Sequence, residues 1–272
     1  MRVLIQDDYA DVCRWTAQYI VERINENRGD GPFVLGLPTG SSPVGVYQEL
    51  IRQNRAGEVS FANVVTFNMD EYAGLSREHP QSYWHFMHTQ LFDHLVDMKP
   101  ENINILDGMA PDPDAECARY EEKIASLGGI RLFLGGIGVD GHIAFNEPFT
   151  SLSSKTGVRT LTKDTRIVNS RFFENDYRQV PRQALSVGVG TVTSAQEVVL
   201  IVSGHSKARA LAHMVEGGVS QMWPASILQL HENAVIVCDE EACGELKVST
   251  YKYFLETEKS QRLQALPQTE SL

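Results

Sequence analysis

An aspartate, a histidine and a glutamate fall within eight residues, at Asp140, His142 and Glu147. They lie in a segment that also carries Gly135, Gly136, Gly138 and Gly141. Histidine titrates near neutral pH. A carboxylate on either side of it can orient the ring, fix its tautomer and stabilise its protonated form. Three other readings compete: a metal site on the same three side chains, a dinucleotide-binding glycine turn, and a purely structural turn. HExxH is absent, no second histidine stands at helical ligand spacing, and the glycines do not complete GxGxxG. A second candidate is Asn68-Met69-Asp70-Glu71-Tyr72, where adjacent carboxylates follow an apolar run. Such a pair suits acid–base chemistry or metal binding, and equally a solvated turn in which Asp70 caps a helix.

The remaining candidates concern an anion. Pro38-Thr39-Gly40-Ser41-Ser42-Pro43 offers a tight turn with open backbone N–H groups, Ser42 as a helix cap and Pro43 in the first turn. A helix N-terminus presented in this way is a natural anion site. The segment lacks the GxxxxGK[ST] of a P-loop. Ser203-Gly204-His205-Ser206-Lys207 places a cation in the first turn of a helix, against the macrodipole, a conflict that a bound anion offsets. Arg171, from a polar stretch, has the planar fork to close over the same anion. An ordinary capped turn and a solvent-facing lysine are the plainer alternatives.

What must position these residues is a set of short apolar runs alternating with longer amphipathic stretches. Strands are predicted at Phe33–Leu37, Val64–Phe67, Arg131–Leu134, Leu185–Val189, Val198–Val202 and Ala234–Cys238. Helices are predicted at Val44–Asn54, Gln81–Leu95, Asp114–Ser126 and Ser206–Glu216. Runs with so little polar alternation suit strands buried on both faces. The pattern predicts an α/β chain: one domain over residues 1–272, a three-layer Rossmann-like fold with a mainly parallel sheet flanked by helices. In such sheets ligands bind beyond the carboxyl ends of the strands, where the candidates lie. The polar stretch from about Thr150 to Arg182 is an expected excursion, with a mobile lid within about 160–185; the tail after about 257 is expected to fray.

Composition narrows the class. The chain has 272 residues, 42% hydrophobic and 22% charged, which suits a globular protein rather than a disordered one. Its net charge of −11 disfavours nucleic acid and anionic membrane surfaces as partners. No apolar run approaches the roughly 20 residues that span a bilayer. Cys13, Cys117, Cys238 and Cys243 are scattered and are expected to be free thiols of a cytoplasmic protein. With no GxSxG elbow and no catalytic-looking cysteine, the parts suit proton transfer on a small phosphorylated substrate, with the phosphate orienting the reacting carbons. The residues do not name the sugar.

Several long motifs carry the reading further. Leu35-Gly36-Leu37-Pro38-Thr39-Gly40-Ser41-Ser42-Pro43, Thr66-Phe67-Asn68-Met69-Asp70-Glu71-Tyr72 and Gly138 through Pro148 closely resemble the glucosamine-6-phosphate deaminase family. Asn169-Ser170-Arg171-Phe172-Phe173, Leu185 through Thr191 and Cys238-Asp239-Glu240 do so as well. The resemblance spans nearly the whole chain and fades in the tail. It implies conversion of glucosamine 6-phosphate and water into fructose 6-phosphate and ammonia, with no metal and no cofactor. It implies that His142 handles the ring-opening protons, with Asp140 and Glu147 tuning and orienting it, and that Asp70 takes the C2 proton. Thr39, Gly40, Ser41, Ser42, Arg171 and Lys207 match the family's phosphate site, and a homo-oligomer, commonly a hexamer, is implied. Thr150, Ser151, Arg159, Thr160 and Tyr253 match a site for an N-acetylglucosamine 6-phosphate effector. One departure weakens that site, because Gly157 stands where a basic residue is expected. The alternatives are a 6-phosphogluconolactonase-type hydrolase, which has no need of a base at C2, and a non-catalytic sugar-phosphate sensor. Activity is expected to survive exhaustive chelation; loss restored by a divalent ion revives the metal reading of Asp140, His142 and Glu147.

Overall fold

The computed structural model describes residues 1–27 and 31–265, with side chains described as far as Glu258. β1 (Arg2–Gln6) leads into α1 (Tyr9–Glu26), β2 (Phe33–Leu37) into α2 (Val44–Arg55), and β3 (Val64–Asn68) into β4 (Asp70–Tyr72) and α3 (Tyr83–Gln90). Then come β5 (Ile103–Asn104), α4 (Pro113–Ser126), β6 (Leu132–Gly136), β7 (Gly157–Thr160), α5 (Lys163–Asn169) and β8 (Gln183–Ser186). α6 (Val189–Thr193), β9 (Glu197–Val202), α7 (Ala208–Glu216), β10 (Ala234–Asp239) and α8 (Val248–Ala265) follow.

Seven strands form a sheet in the order β1-β10-β9-β6-β2-β3-β5, with every pairing parallel. Parallel neighbours need long crossovers, and the helices supply them. One core face takes Val34, Val65, Phe67 and Phe133 with Tyr120 and Ile124 of α4 and Leu211 of α7. The opposite face takes Leu35, Leu37, Val64, Leu132 and Leu134 with residues of α1, α2 and α3. Alternate residues of each strand thus enter different cores, which is why the strands lack polar alternation. Gly36 allows the closest approach: a Cβ there would stand 2.4 Å from the Phe133 ring.

The strand order reverses between β2 and β6, which are adjacent while their successors run in opposite directions across the sheet. This opens a crevice at their carboxyl ends. Both glycine-bearing loops emerge there.

One expectation changes. The run Leu185–Val189 does not join the parallel sheet. β8 lies in a second, antiparallel sheet of order β4-β8-β7, and α6 begins at Val189. The chain leaves the main sheet at Met69, whose N–H donates to Leu37 O and whose carbonyl accepts from Val187 N. β4 thereby gains an edge away from the main sheet, and the excursion pairs with it. An apolar run is buried in either setting, so its composition does not distinguish them. The segment expected to fray continues as helix to Ala265, and residues 266–272 lie outside the described residues. The excursion itself contains β7, α5 and β8, and packs Leu161, Phe173, Val180 and Ala184 against Tyr72 and Phe145.

Candidate active site

Asp70 stands at the start of β4, where the chain passes from one sheet to the other. It is 6% exposed, and its Oδ1 is buried without a hydrogen-bond partner. Burial, with the neighbouring Glu71 charge adding, pushes its pKa up to about 8. Glu71 is treated differently. Its carboxylate accepts from Tyr72 N at 2.8 Å and from Tyr83 N and Trp84 N, both at 2.9 Å, so it satisfies the first turn of α3. Burial still raises it to about 7, against those three donors. Of the adjacent carboxylates, Glu71 is structural and Asp70 is left uncommitted.

Tyrosines gather around Asp70. Tyr47, Tyr72, Tyr83 and Tyr120 all feel its charge. Their hydroxyls are engaged elsewhere: Tyr47 with Pro38 O, and Tyr120 with Asn68 O and Asn104 O. Tyr83 meets the hydroxyls of Tyr72 and Thr39, and Asn169 Nδ2 donates to Tyr72 at 3.0 Å. Apart from Tyr72, which lies in the Asp70 motif, nothing local in the sequence points to them.

The loop after β6 presents the second group. His142 Nδ1 lies 2.6 Å from Asp140 Oδ1, without the alignment of a straight hydrogen bond. The backbone N of His142 donates to the same oxygen at 3.3 Å. The histidine ring holds the Asp140 carboxyl below its ordinary range despite burial. Gly138 makes room for the ring, since a Cβ there would stand 2.2 Å from His142 Cε1. Gly141 has φ +81° and lies close against Trp223, whose Cε3 is 2.6 Å from where a Cβ would stand.

Glu147 departs from expectation. Its carboxylate accepts from Thr162 N at 3.1 and 3.3 Å, from Thr162 Oγ1 at 3.2 Å and from Thr165 Oγ1, at the start of α5. Among the described residues no hydrogen bond or ion pair joins it to His142, so its expected orientation of the ring is not made here. Thr162 already caps α5 by accepting from Thr165 N, and Glu147 in turn takes the cap residue's own N–H and the hydroxyls of Thr162 and Thr165.

The anion candidates converge on the crevice. Ser42 Cβ is 3.9 Å from where a Cβ on Gly136 would stand, which sets the β2 and β6 tips side by side. Gly40 turns with φ +93°. The expected Ser42 cap is absent: α2 has no side-chain cap, and Tyr9 Oη instead accepts from Gly45 N at 3.0 Å and donates to Ser42 O at 2.9 Å. Lys207 Nζ donates to Ile137 O at 2.7 Å, which brings the cation to the foot of the His142 loop. Burial lowers its pKa, opposed by the charge of Asp140 and assisted by that of Arg171. Arg171 lies exposed over the Phe172 ring at 4.7 Å. Buried Asp239 holds the Lys207 loop, accepting from Gly204 N at 3.0 Å, Ala242 N at 2.9 Å and Ser203 Oγ. Its place at a strand tip was the available signal.

Among the described residues no hydrogen bond or ring contact joins Tyr253 to the other effector candidates. Tyr253 lies on α8 and is 62% exposed. Thr150 and Ser151 lie in the loop before β7, and Thr160 ends that strand. Arg159 is turned inward, with Nε 3.1 Å from Asn146 Oδ1. All four cysteines are free and buried.

An α/β sheet with a desolvated carboxylate, a histidine–aspartate pair and converging cations at its switch point defines an enzyme that moves protons on a small anionic substrate. The glucosamine-6-phosphate isomerases/6-phosphogluconolactonase family matches residues 7–237. The chain belongs to this family. It is 61% identical over 260 residues to a glucosamine-6-phosphate deaminase of Bacteroides fragilis, covering 95% of this chain and 96% of that one. It is 58% identical over 262 residues to that of Porphyromonas gingivalis, covering 96% and 99%. Among solved structures, a monomeric glucosamine-6-phosphate deaminase superposes with a TM-score of 0.86 at 42% identity, covering 89% and 99%. A 6-phosphogluconolactonase from Trypanosoma cruzi, with TM-score 0.72 and 18% identity over 90% and 97%, shares the fold alone.

The raised Asp70 pKa has a consequence for stability. The folded state keeps a proton that the unfolded chain releases above its ordinary value of 3.8, so this group's contribution falls as pH rises from about 4 to about 8. Asp70→Asn is expected to be more stable than the wild type at pH 8, on the order of a few kcal/mol, with the gain vanishing near pH 4. Denaturant unfolding at both pH values checks it; an equal effect at both removes the desolvation account.

Proposed function

We propose that this chain converts glucosamine 6-phosphate and water into fructose 6-phosphate and ammonia, with Asp70 as the base at C2. The observation that carries the assignment of the base is its buried, unpartnered carboxyl at the switch-point crevice. Whole-length relatives named for this activity support the reaction.

The geometry supports the following chemistry. Lys207, Arg171 and the Thr39–Ser42 turn hold the phosphate and set the far end of the sugar against the crevice. His142, oriented by Asp140, moves the proton that opens the pyranose ring. Ionised Asp70 then takes the C2 proton, giving an enediol-like intermediate, and returns a proton at C1. Isomerisation leaves an imine at C2; water adds there and ammonia departs. A carboxylate with pKa near the working pH balances basicity against the fraction ionised, and a positioned group of this kind contributes typically about 10²–10⁴-fold. The lactonase alternative is supported by fold alone.

Release of ammonia and fructose 6-phosphate from glucosamine 6-phosphate by the purified chain is the direct test, and their absence ends the reading. Asp70→Asn is expected to abolish C2 deuterium exchange from solvent while leaving binding of the sugar phosphate within a few-fold. Exchange at the wild-type rate would take the role from Asp70.

A cytoplasmic homo-oligomer is part of the same reading. Among the described residues no helix is long and apolar enough to cross a membrane. Phe149 and Met222, 70% and 45% exposed, flank one backbone contact, Phe149 N to Gln221 O, and offer an apolar surface for self-association. Light scattering is expected to give a multiple of 30.3 kDa; a particle of 30.3 kDa removes assembly from the proposal. Control by N-acetylglucosamine 6-phosphate is not included, given Gly157 and the inward turn of Arg159.

A further inference from the structure

Arg159 stands on β7 with its guanidinium folded into the protein. Nε donates to Asn146 Oδ1 at 3.1 Å, Nη2 to Lys155 O at 2.8 Å, and Nη1 weakly to Val158 O at 3.4 Å. Burial lowers its pKa, and no carboxylate pairs with it among the described residues. A half-buried cation without a counter-charge is costly, and the planar fork offsets that cost by spanning several acceptors at once, which a lysine ammonium at one point does less well.

Asn146 passes the contact on. It is fully buried, and its Nδ2 donates to Ile143 O at 2.9 Å and to Val187 O at 2.7 Å. The first of these bonds closes the turn Ile143–Asn146, inside which Ala144 has φ +53°, a left-handed conformation disfavoured for an L residue. The turn begins one residue after His142. Asn146 Oδ1 has Arg159 as its donor, and that bond holds the amide with its Nδ2 toward the two carbonyls. Gly157 leaves room for the arrangement, since a Cβ there would stand 2.9 Å from Arg159 Nη1.

We propose that Arg159 is a positioning residue: in the space left by Gly157 it fixes Asn146, and through Asn146 the strained turn that holds His142 in place. The inference rests on the deaminase reading. Arg159 touches no reacting atom and acts only through the loop.

The test uses the full chain with Gly157→Ala, Arg159→Met and Arg159→Lys. Gly157→Ala leaves the arginine in the sequence and displaces only the far end of a flexible side chain, so the fold tolerates it. Gly157→Ala and Arg159→Met are each expected to lower kcat for glucosamine 6-phosphate by roughly 5- to 100-fold, the range set by a misplaced catalytic group. KM is expected to stay within about twofold, because the phosphate anchors are elsewhere. Arg159→Lys should fall between Met and wild type. If Arg159→Met does not fold, Gly157→Ala decides alone. Wild-type kcat in Gly157→Ala, or in a folded Arg159→Met whatever its Tm, overturns the proposal. So does a variant with normal kcat whose only change is its response to an N-acetylated sugar phosphate, since that places Arg159 in an effector site. A wild-type chain that releases no ammonia overturns both this inference and the functional reading, whereas an active wild type with unaffected variants overturns this one alone.

Discussion

A carboxyl group without a partner in a desolvated site is the feature on which the rest of this structure turns. Removing an ionised carboxylate from water without compensation is expensive, and the protein meets that cost by holding Asp70 protonated until about pH 8. Four tyrosines stand near enough to feel its charge, yet their hydroxyls are committed to other acceptors or to one another. Glu71, one residue on, shows the alternative: with three backbone donors it becomes a helix cap. Adjacent residues of like chemistry differ because the Glu71 carboxylate meets three N–H groups, whereas Asp70 Oδ1 is buried without a donor.

Topology sets the proposed phosphate anchors apart from the proposed base. The strand reversal between β2 and β6 places the two loops that emerge there on either side of one crevice. Lys207 reaches it from the tip of β9 by hydrogen-bonding Ile137 O, while Asp239 at the tip of β10 holds the turn that carries the lysine. The proposed phosphate anchors and the proposed base thus belong to different strands. A rigid sheet sets the distance between them, which suits chemistry that depends on placing one carbon against one carboxylate. A lactonase at 18% identity shares the fold, so the fold alone does not select the reaction.

The second sheet ties the excursion to the site. β4 begins with Asp70, and β8 and β7 pair outward from it. Glu147 joins the His142 loop to α5 through Thr162 and Thr165, and Asn169 reaches back to Tyr72. The polar stretch that lacks periodicity in sequence is therefore built onto the strand that begins with Asp70.

Patterns set by neighbours in sequence were legible from the start. β2 has the predicted bounds, α2 and α4 begin within a residue of theirs, and the i, i+2 spacing of Asp140 and His142 brings the pair to 2.6 Å. Burial on both faces, loop position and short-range pairs follow from local composition and chain geometry. Partners distant in sequence were not legible. Leu185 pairs with Glu71 rather than with the parallel sheet, Glu147 turns to Thr162 and Thr165 rather than to His142, and Arg159 turns inward to Asn146. The tyrosines around Asp70 come from α2, β4, α3 and α4, separated by up to 73 positions between Tyr47 and Tyr120. A side chain takes whichever donor, acceptor or apolar surface packing brings within reach. Residue type limits what it can bind, but only the assembled fold decides what stands beside it.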